Sequence, residues 1–220
     1  MVCEPHQVFQ VNAERPEPGA IACAAAALQA GLLVAFPTDT VYGLGCDSRN
    51  PEAVDRLYAA KRRPRSLPLV LLLAEPGDAL RYAAAFPPAA QKAAAAFWPG
   101  PLTLVVPGEP GVTRVVAAGY DTVGLRVPDH AVARALIRAA GFAPATTSAN
   151  RSGGPDPLTA DEVVRALDVE IGVLLDAGPV PVGTASTVLD VSGAIPVVLR
   201  EGAVSVEDLE RALGEIARGG

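Results

Sequence analysis

Four cationic residues stand close together in the segment KRRPR, positions 61–65. The segment before it carries an apolar stripe at helical spacing, formed by Val54, Leu57 and Tyr58. Lys61 is the next residue on that stripe, so its ammonium group should point into the protein or into a cleft. Pro64 disfavours the helical conformation at Arg63, which should therefore leave in another direction. A lysine and an arginine placed in this way suit oxyanions such as phosphate or bicarbonate, whereas a solvated helix end is the alternative.

Small polar residues follow two predicted strands. The segment PATTSANRSGGPDP, positions 144–157, offers hydroxyl groups, exposed backbone amides and glycines, which suit phosphate or carboxylate groups. The segment FPTDTVYGLGCD, positions 36–47, offers Thr38, Asp39 and Thr40 at the end of an apolar run. Ordinary turns are the alternative for both segments, because Ser, Asn, Gly and Pro favour turns. A P-loop is excluded, since the chain contains no GxxxxGK[ST] motif.

Two arginines lie within predicted strands. Arg126 stands among Val and Leu in the run TVGLRVP, positions 122–128, and needs an anionic partner, which is either a ligand or a structural carboxylate. Arg200 has a similar place in the run VVLREG, and Ser186 precedes it on another predicted strand. These cations and hydroxyl groups, without a metal cage, predict an enzyme or a binding protein for a small polyanion.

The composition excludes several classes of protein. Half of the 220 residues are hydrophobic, which is enough for a substantial core in one large domain or two small ones. The sequence shows no uninterrupted apolar run of membrane length and no basic N-terminal start, so we expect neither a membrane span nor a signal peptide. The net charge of −6 disfavours a basic nucleic-acid-binding surface. Three cysteines without a CxxC pair argue against a zinc site and suit a cytoplasmic protein.

Strand-length apolar runs alternate with Ala-rich helical stretches, which predicts an α/β or α+β domain with a mixed sheet. The predicted helices span 18–30, 51–62, 88–97, 130–140, 160–168 and 206–217. The predicted strands span 32–37, 68–74, 102–107, 122–127, 144–147, 172–176, 186–191 and 196–200. Asn50 followed by Pro51 predicts one helix start. Thr159 with Glu162 predicts a capping box at another, and Gly141 predicts a helix end.

Seven blocks of sequence occur in the order typical of one protein family. They are PTDTVYGLG, LYAAKRRP, PGPLTLVV, TVGLRVPDH, SANRSGGP, STVLDVSG and VLREGAVS, and they cover most of the chain. The most specific signature is the KxR motif of Lys61 and Arg63, followed far downstream by the SxN motif of Ser148 and Asn150. On these motifs the chain resembles the threonylcarbamoyl-AMP synthases with the YrdC-type fold.

The resemblance implies a twisted mixed sheet, flanked by helices, with a large positively charged cavity. It implies the short form of the family, a single YrdC-like domain over residues 1–220 with a core over 20–205 and a C-terminal helix over 206–217. The implied reaction condenses L-threonine with bicarbonate to a carbamate, which attacks the α-phosphate of ATP and gives threonylcarbamoyl-AMP and pyrophosphate. Partner proteins then pass the threonylcarbamoyl group to tRNA. Mg²⁺ is implied on the triphosphate, although the sequence shows no dedicated ligands for it.

The resemblance also implies roles for individual side chains. Those implied for the threonine pocket are Thr40, Arg126, Thr146 and Ser186. Those implied for the nucleotide are Arg63, Thr122, Ser148, Asn150 and Arg200. Arg126 would pair with the amino-acid carboxylate, and Lys61, with Arg63, would orient bicarbonate or phosphate and offset the developing charge. No side-chain nucleophile and no protein-bound metal is expected, so catalysis would rest on positioning and electrostatics.

Three residues depart from the pattern common in the family. Leu67 and Leu72 stand where many members have a polar residue and a histidine that contact substrates. Asp156 stands where a small hydroxyl residue often contacts the nucleotide. The alternatives are double-stranded RNA binding or ribosome maturation, a carbamoyl-adenylate domain of the hydrogenase-maturation type, and a paralogue of the same fold without catalysis. The sequence does not predict the oligomeric state.

Overall fold

The computed structural model describes residues 6–167 and 171–218, and the strands found there form one mixed sheet. The strands are β1 (Gln7–Gln10), β2 (Val34–Phe36), β3 (Gly43–Cys46), β4 (Val70–Leu72), β5 (Leu102–Pro107), β6 (Thr122–Arg126), β7 (Ala145–Ser148), β8 (Val173–Asp176), β9 (Thr187–Asp190), β10 (Val197–Arg200) and β11 (Ala217–Arg218). Their order across the sheet is β1-β8-β2-β3-β7-β4-β6-β5-β9-β10-β11. The sheet contains both parallel pairs, such as β4–β6, and antiparallel pairs, such as β5–β6, which confirms the predicted mixed sheet.

Helices flank this sheet and connect its strands. They are α1 (Pro18–Gln29), α2 (Pro51–Lys61), α3 (Pro88–Phe97), α4 (Pro110–Val116), α5 (Ala131–Ala140), α6 (Ala160–Ala166) and α7 (Val206–Leu213), with a 3-10 helix over Pro76–Arg81. Proline stands in the first turn of α1, α2, α3 and α4, where its missing N–H loses no helical hydrogen bond. No described helix is long and apolar enough to cross a bilayer.

The predicted helix boundaries hold where a cap defines them. Asn50 Oδ1 accepts hydrogen bonds from two backbone N–H groups in the first turn of α2, and α5 ends immediately before Gly141. At α6, Thr159 Oγ1 accepts from the backbone N–H of Glu162 at 3.3 Å. The Glu162 carboxylate accepts from Leu158 N at 2.6 Å and not from Thr159 N, so only half of the predicted capping box forms.

The structure also differs from the predicted elements. Four unpredicted elements are present in the described residues, namely β1, β3, α4 and β11, besides the 3-10 helix. The helix predicted over 206–217 ends at Leu213, before Gly214. The helix predicted over 160–168 ends at Ala166, and Asp168 lies outside the described residues.

Hydrophobic clusters cover the two faces of the sheet unequally. The larger cluster, under α2, α3, α4, α6 and α7, buries alternate strand residues such as Leu44, Leu71 and Leu125 completely. The second cluster lies between the opposite face and the helices α1 and α5, and it includes Phe36 and Leu72. Among the described residues this second cluster takes side chains from β2, β4 and β8 but none from β5, β6 or β9. That part of the face is therefore left for polar side chains.

Candidate active site

An open cleft lies on the part of the sheet that α1 and α5 leave uncovered. Its empty volume, including the mouth, is about 720 Å³. The strand side chains that line it come from five strands and include Val70 and Leu72 of β4, Thr103 of β5, Arg126 of β6, Thr146 and Ser148 of β7 and Arg200 of β10. Because successive side chains of a strand alternate between the two faces, the residues next to them in β4, β5 and β6 pack into the larger hydrophobic cluster on the other side. The sheet thus presents polar groups to the cleft from a rigid apolar support.

Arg126, at the end of β6, is the most deeply buried cation of the cleft, with 6 % of its surface exposed. Its Nη2 donates to Asp39 Oδ1 at 2.5 Å, its Nη1 donates to Thr40 Oγ1 at 2.9 Å, and its Nε donates to Gly100 O at 3.0 Å. Burial lowers the pKa of Arg126, and the adjacent Asp39 carboxylate opposes that shift. The anionic partner that the sequence requires for this arginine is therefore a structural carboxylate. Nη1 and Nη2 each keep a second N–H for a further acceptor.

Lys61, the last residue of α2, is 1 % exposed, as its place on the apolar stripe predicts. Its Nζ donates to Ser148 O and, at 2.9 Å, to Asn150 Oδ1. Ser148 Oγ donates to the same Oδ1 at 2.7 Å, and Asn150 Nδ2 donates to Gly154 O at 2.6 Å. The KxR and SxN motifs, far apart in the sequence, are therefore joined by hydrogen bonds in one network.

The Lys61 ammonium lies behind the cleft wall and not among the side chains that line it. Burial lowers the pKa of Lys61 from 10.5 to about 8; the Arg63 charge acts in the same direction, and Asp156 opposes both. Two of the three N–H donors of the ammonium are used by the network, so one remains. Lys61 thus supplies charge close to the cleft while it holds the loop after β7.

Arg63 reaches the cleft because α2 ends two residues earlier. Arg62 adopts a left-handed conformation, with φ of 49°, which turns the chain away from the helix axis. The half-buried Arg63 then donates from Nη2 to Pro68 O at 3.0 Å and lines the cleft. Arg62 itself is exposed and does not line the cleft, so the two neighbouring arginines have different surroundings.

A β-bulge in β10 directs Arg200 into the cleft. Val198 pairs with Leu189 of β9, whereas Arg200 pairs with the next residue, Val188, so two residues of β10 stand opposite one of β9. In a regular strand Arg200 would share the face of Val198, which belongs to the larger hydrophobic cluster. Instead its Nη2 donates to Ser186 O at 2.7 Å, and the side chain lines the cleft.

The chain after β10 lies against the segment that carries Ser186. Gly202 N donates to Thr187 Oγ1 at 2.9 Å, and a Cβ at Gly202 would come within 2.3 Å of Ala185 O. Only glycine permits this close approach. The Ser186 hydroxyl shares a hydrogen bond of 2.9 Å with the Thr103 hydroxyl, which fixes it at the edge of the cleft.

Most of the site residues expected from the sequence come together in this cleft. Those that line it are Thr40, Arg63, Arg126, Thr146, Ser148, Ser186 and Arg200. Lys61 and Asn150 lie directly behind them, bonded to Ser148. Thr122 shares a strand face with Arg126 but starts β6, about 13 Å away at the usual rise per residue, and it does not line the cleft.

Several lining residues were given no individual role from the sequence, although Thr38, Gly43 and Thr147 belong to the two polar segments that were singled out there. They are Thr38, Val41, Gly43, Pro68, Val70, Thr103, Thr147 and Ala185. Thr103 had the clearest signal, since it is a single hydroxyl within the apolar run LTLVV of β5. Asp39 had a signal as well, because a carboxylate in an otherwise apolar and hydroxyl-rich segment needs a cationic or N–H partner when it is buried.

Two of the three departures from the family pattern face the cleft. Leu72 extends the apolar wall formed by Val70, and Asp156 is an acidic residue among the arginines. Leu67 is 41 % exposed and does not line the cleft, although its carbonyl accepts a hydrogen bond from the Tyr58 hydroxyl at 2.8 Å. Within residues 6–167 and 171–218, no group of three His, Cys, Asp or Glu side chains could hold a metal ion.

Known proteins share this sequence and fold. Residues 26–202 match the Sua5/YciO/YrdC family, whose description is telomere recombination. The threonylcarbamoyl-AMP synthase of Bacillus subtilis is 43 % identical over 89 % of this chain and 57 % of its own length. The threonylcarbamoyl-AMP synthase of Halorhodospira halophila is 43 % identical over 69 % of this chain and 80 % of its own length.

A solved structure matches the whole arrangement of strands and helices. The structure of Pyrococcus abyssi Sua5 complexed with L-threonine superposes with a TM-score of 0.93 and is 40 % identical, over 97 % of this chain and 62 % of that chain. The chain therefore spans about three-fifths of the Bacillus and Pyrococcus proteins. Since the family match covers most of the sequence and the fold agrees throughout, the protein belongs to the Sua5/YciO/YrdC family.

Proposed function

We propose that the protein is a nucleotidyltransferase that makes threonylcarbamoyl-AMP from L-threonine, bicarbonate and ATP. The observation that carries this proposal is the cleft, in which a buried arginine with free N–H groups stands among hydroxyl side chains and two further arginines. The threonine complex of a 40 % identical relative, and the names of the two synthases above, support the same reading.

The inner end of the cleft suits an amino acid. The spare N–H groups of Arg126 can form a paired contact with its carboxylate, because a guanidinium and a carboxylate match in geometry. The Thr40 hydroxyl accepts a hydrogen bond from Arg126, and the hydroxyls of Thr146 and Ser186 line the same cleft. Leu72 adds an apolar surface of the kind that a methyl group would contact.

The outer end of the cleft suits a nucleotide. Arg63 and Arg200 stand at the mouth and can pair with phosphate oxygens, and the Ser148 hydroxyl is within the same wall. Asn150 would act through its bonds to Ser148 and Lys61. Thr122 would contact only a part of the nucleotide that extends along β6 beyond the cleft.

The proposed reaction has two steps. The threonine amine attacks the carbon of bicarbonate, and loss of water leaves an N-carboxylate. An oxygen of this carboxylate attacks the α-phosphorus of ATP, the bond from that phosphorus to the bridging oxygen breaks, and pyrophosphate leaves. Negative charge grows on the phosphoryl and bridging oxygens, where Arg63, Arg200 and the Lys61 ammonium would stabilise it. The metal of the substrate MgATP would neutralise part of the triphosphate charge.

The product is a mixed anhydride, which loses its acyl group readily to water. We therefore infer that partner proteins in the cytoplasm accept it for transfer to tRNA. Binding of double-stranded RNA by this chain alone is less well supported, since the net charge is −6 and the cationic side chains described above face a cleft.

Release of pyrophosphate from ATP tests the proposal. The protein is incubated with MgATP and bicarbonate, with threonine, serine, alanine or no amino acid. We expect release that depends on threonine and on bicarbonate, and a product with the mass of threonylcarbamoyl-AMP. Release without an amino acid, or none from protein shown to be folded, would contradict the proposal.

Two neighbouring arginines give a matched pair of variants for this assay. Arg63→Ala removes a cation that lines the cleft, and we expect turnover to fall by about 10²-fold or more. Arg62→Ala removes an exposed cation next to it and should leave turnover within about twofold, because surface charges contribute little. Equal effects of the two changes would mean that Arg63 has no special role.

A further inference from the structure

Asp156 is a carboxylate in a place that otherwise gathers positive charge. It is exposed to solvent and lines the cleft together with Arg63, Arg126 and Arg200. It also lines a neighbouring hollow between the loop after β7 and the helix α6, so it stands where the two spaces meet. A triphosphate at the mouth of the cleft would pass close to this carboxylate.

Asp156 is a counter-charge at a distance, where it opposes the lowering of the Lys61 and Arg200 pKa values by burial, but it is not a close ion-pair partner. Asp156 forms no salt bridge within 4.0 Å with any described residue, and its hydrogen-bond contact is to Asn150 Nδ2 at 3.5 Å. The nearby cations direct donors elsewhere, Arg200 to Ser186 O and Lys61 to the SxN loop. Asp156 therefore has lone pairs available on the cleft side.

The loop that carries Asp156 is fixed at several points. Ser152 N donates to Lys61 O at 3.0 Å, Asn150 Nδ2 donates to Gly154 O at 2.6 Å, and Pro157 O accepts from Tyr42 N at 2.9 Å. These bonds precede and follow Asp156 in the sequence, so the carboxylate cannot move far from the cleft without breaking them. The fold therefore holds the carboxylate beside the part of the cleft that the phosphates would occupy.

A bare carboxylate beside a triphosphate is repulsive, and a divalent cation between them reverses the sign of that interaction. Mg²⁺ is bound in proteins by one or two carboxylates together with substrate phosphates and several waters. A single carboxylate at the mouth of a nucleotide cleft meets that requirement, and a complete protein cage is not needed. We propose that Asp156 is an oxygen ligand for the Mg²⁺ that the nucleotide carries. This inference rests on the proposed function only in taking a nucleoside triphosphate as the occupant of the cleft.

Nucleotide binding with and without metal tests the assignment. The analogue α,β-methylene-ATP, which cannot lose pyrophosphate, is titrated calorimetrically into the wild type, Asp156→Asn and Asp156→Ser. With Mg²⁺ present, both variants should bind about tenfold more weakly, as is usual when support for a metal is lost. In EDTA the same variants should bind the analogue more tightly than the wild type, because repulsion has been removed. Asp161→Asn, an equal charge change on the exposed face of α6, should alter neither titration.

A change of metal preference gives a second measurement. Asp156→Cys should bind the analogue more tightly with Cd²⁺ than with Mg²⁺, because a thiolate is a soft ligand, whereas the wild type should not gain from Cd²⁺.

The outcomes separate this inference from the proposed function. Tighter binding by Asp156→Asn in Mg²⁺ as well as in EDTA would overturn the inference, since the carboxylate would then only repel phosphate. No binding of the analogue to the wild type would overturn both. Metal-dependent binding that Asp156 controls, without threonine-dependent release of pyrophosphate, would overturn the proposed function and leave the metal ligand in place.

Discussion

The buried cations in and behind the cleft are oriented by other protein groups. Arg126 donates to a carboxylate, a hydroxyl and a carbonyl, and Lys61 donates to a carbonyl and an amide oxygen. Groups that are fixed in this way stabilise developing charge without reorganising during the reaction. Local partners therefore offset the cost of burying these cations. Removal of a partner should change the free energy of unfolding as well as the activity.

The Asp39–Arg126 pair predicts a specific effect on stability. Asp39→Ala leaves the guanidinium buried without its carboxylate, and we expect it to lower the free energy of unfolding by about 3–5 kcal/mol. Asp39→Asn keeps an acceptor oxygen and should cost less. Urea unfolding of these variants, together with Arg126→Leu and the double variant Asp39→Ala/Arg126→Leu, measures the coupling between the two residues. Strictly additive losses would show that the pair is not coupled.

Lys61 predicts a dependence of stability on pH. Its pKa is about 8 in the folded protein and 10.5 in an unperturbed lysine, so between these values the unfolded chain holds more protons than the folded one. Stability from this residue should therefore rise as the pH increases from about 8 towards 10.5. The measurement is the difference in unfolding free energy between the wild type and Lys61→Met at pH 7.5 and pH 10, since the subtraction removes the contribution of other groups.

The same pKa has the opposite consequence for turnover. If the Lys61 charge stabilises the leaving phosphates, the ratio of wild-type activity to that of Lys61→Arg should fall as the pH passes about 8, because arginine stays charged. A ratio that is constant with pH would show that this charge is not needed.

At the scale of elements, some segments could be predicted from local signals and others could not. The helix α2 has an N-cap and an apolar stripe, and both could be predicted from the sequence. The strand β3 was not predicted, and two of its four residues are glycine, which weakens the signal of a strand. Its glycines make room for neighbours, since a Cβ at Gly45 would come within 3.0 Å of the Phe36 ring. Tertiary packing, which local propensity does not encode, decides such a strand.

The cap of α2 offers a prediction at this scale. Asn50→Ala removes the acceptor for two backbone N–H groups, and we expect a loss of about 1 kcal/mol in the free energy of unfolding. Asn50→Asp keeps the acceptor and should lose little. Thermal or urea unfolding compares the two, and an equal loss in both would point to a role of the amide nitrogen instead of the cap.

At the scale of the whole molecule, the cleft exists because the two helices α1 and α5 cover only part of one sheet face. The residue types of the site could be predicted from sequence, since a lysine on an apolar stripe and an arginine in an apolar strand are unusual. Their partners could not, because Asp39 and Arg126 are 87 positions apart and a single sequence carries no distance between them. The sequence likewise carries no distance between Thr122 and the cleft, so the strand that contains Thr122 could be predicted but its position away from the cleft could not.

The irregularity in β10 makes the pairing register of the strand part of the site. Regular alternation through Val198, Leu199 and Arg200 would instead pair Leu199 with Val188, turn the guanidinium towards the apolar cluster and turn a leucine towards the mouth. Deletion of Leu199, in contrast, would make Arg200 the direct neighbour of Val198, still opposite Val188 and still on the cleft side. When relatives are aligned here, a one-residue gap at Leu199 is therefore compatible with a phosphate-binding arginine, whereas a regular strand of unchanged length is not.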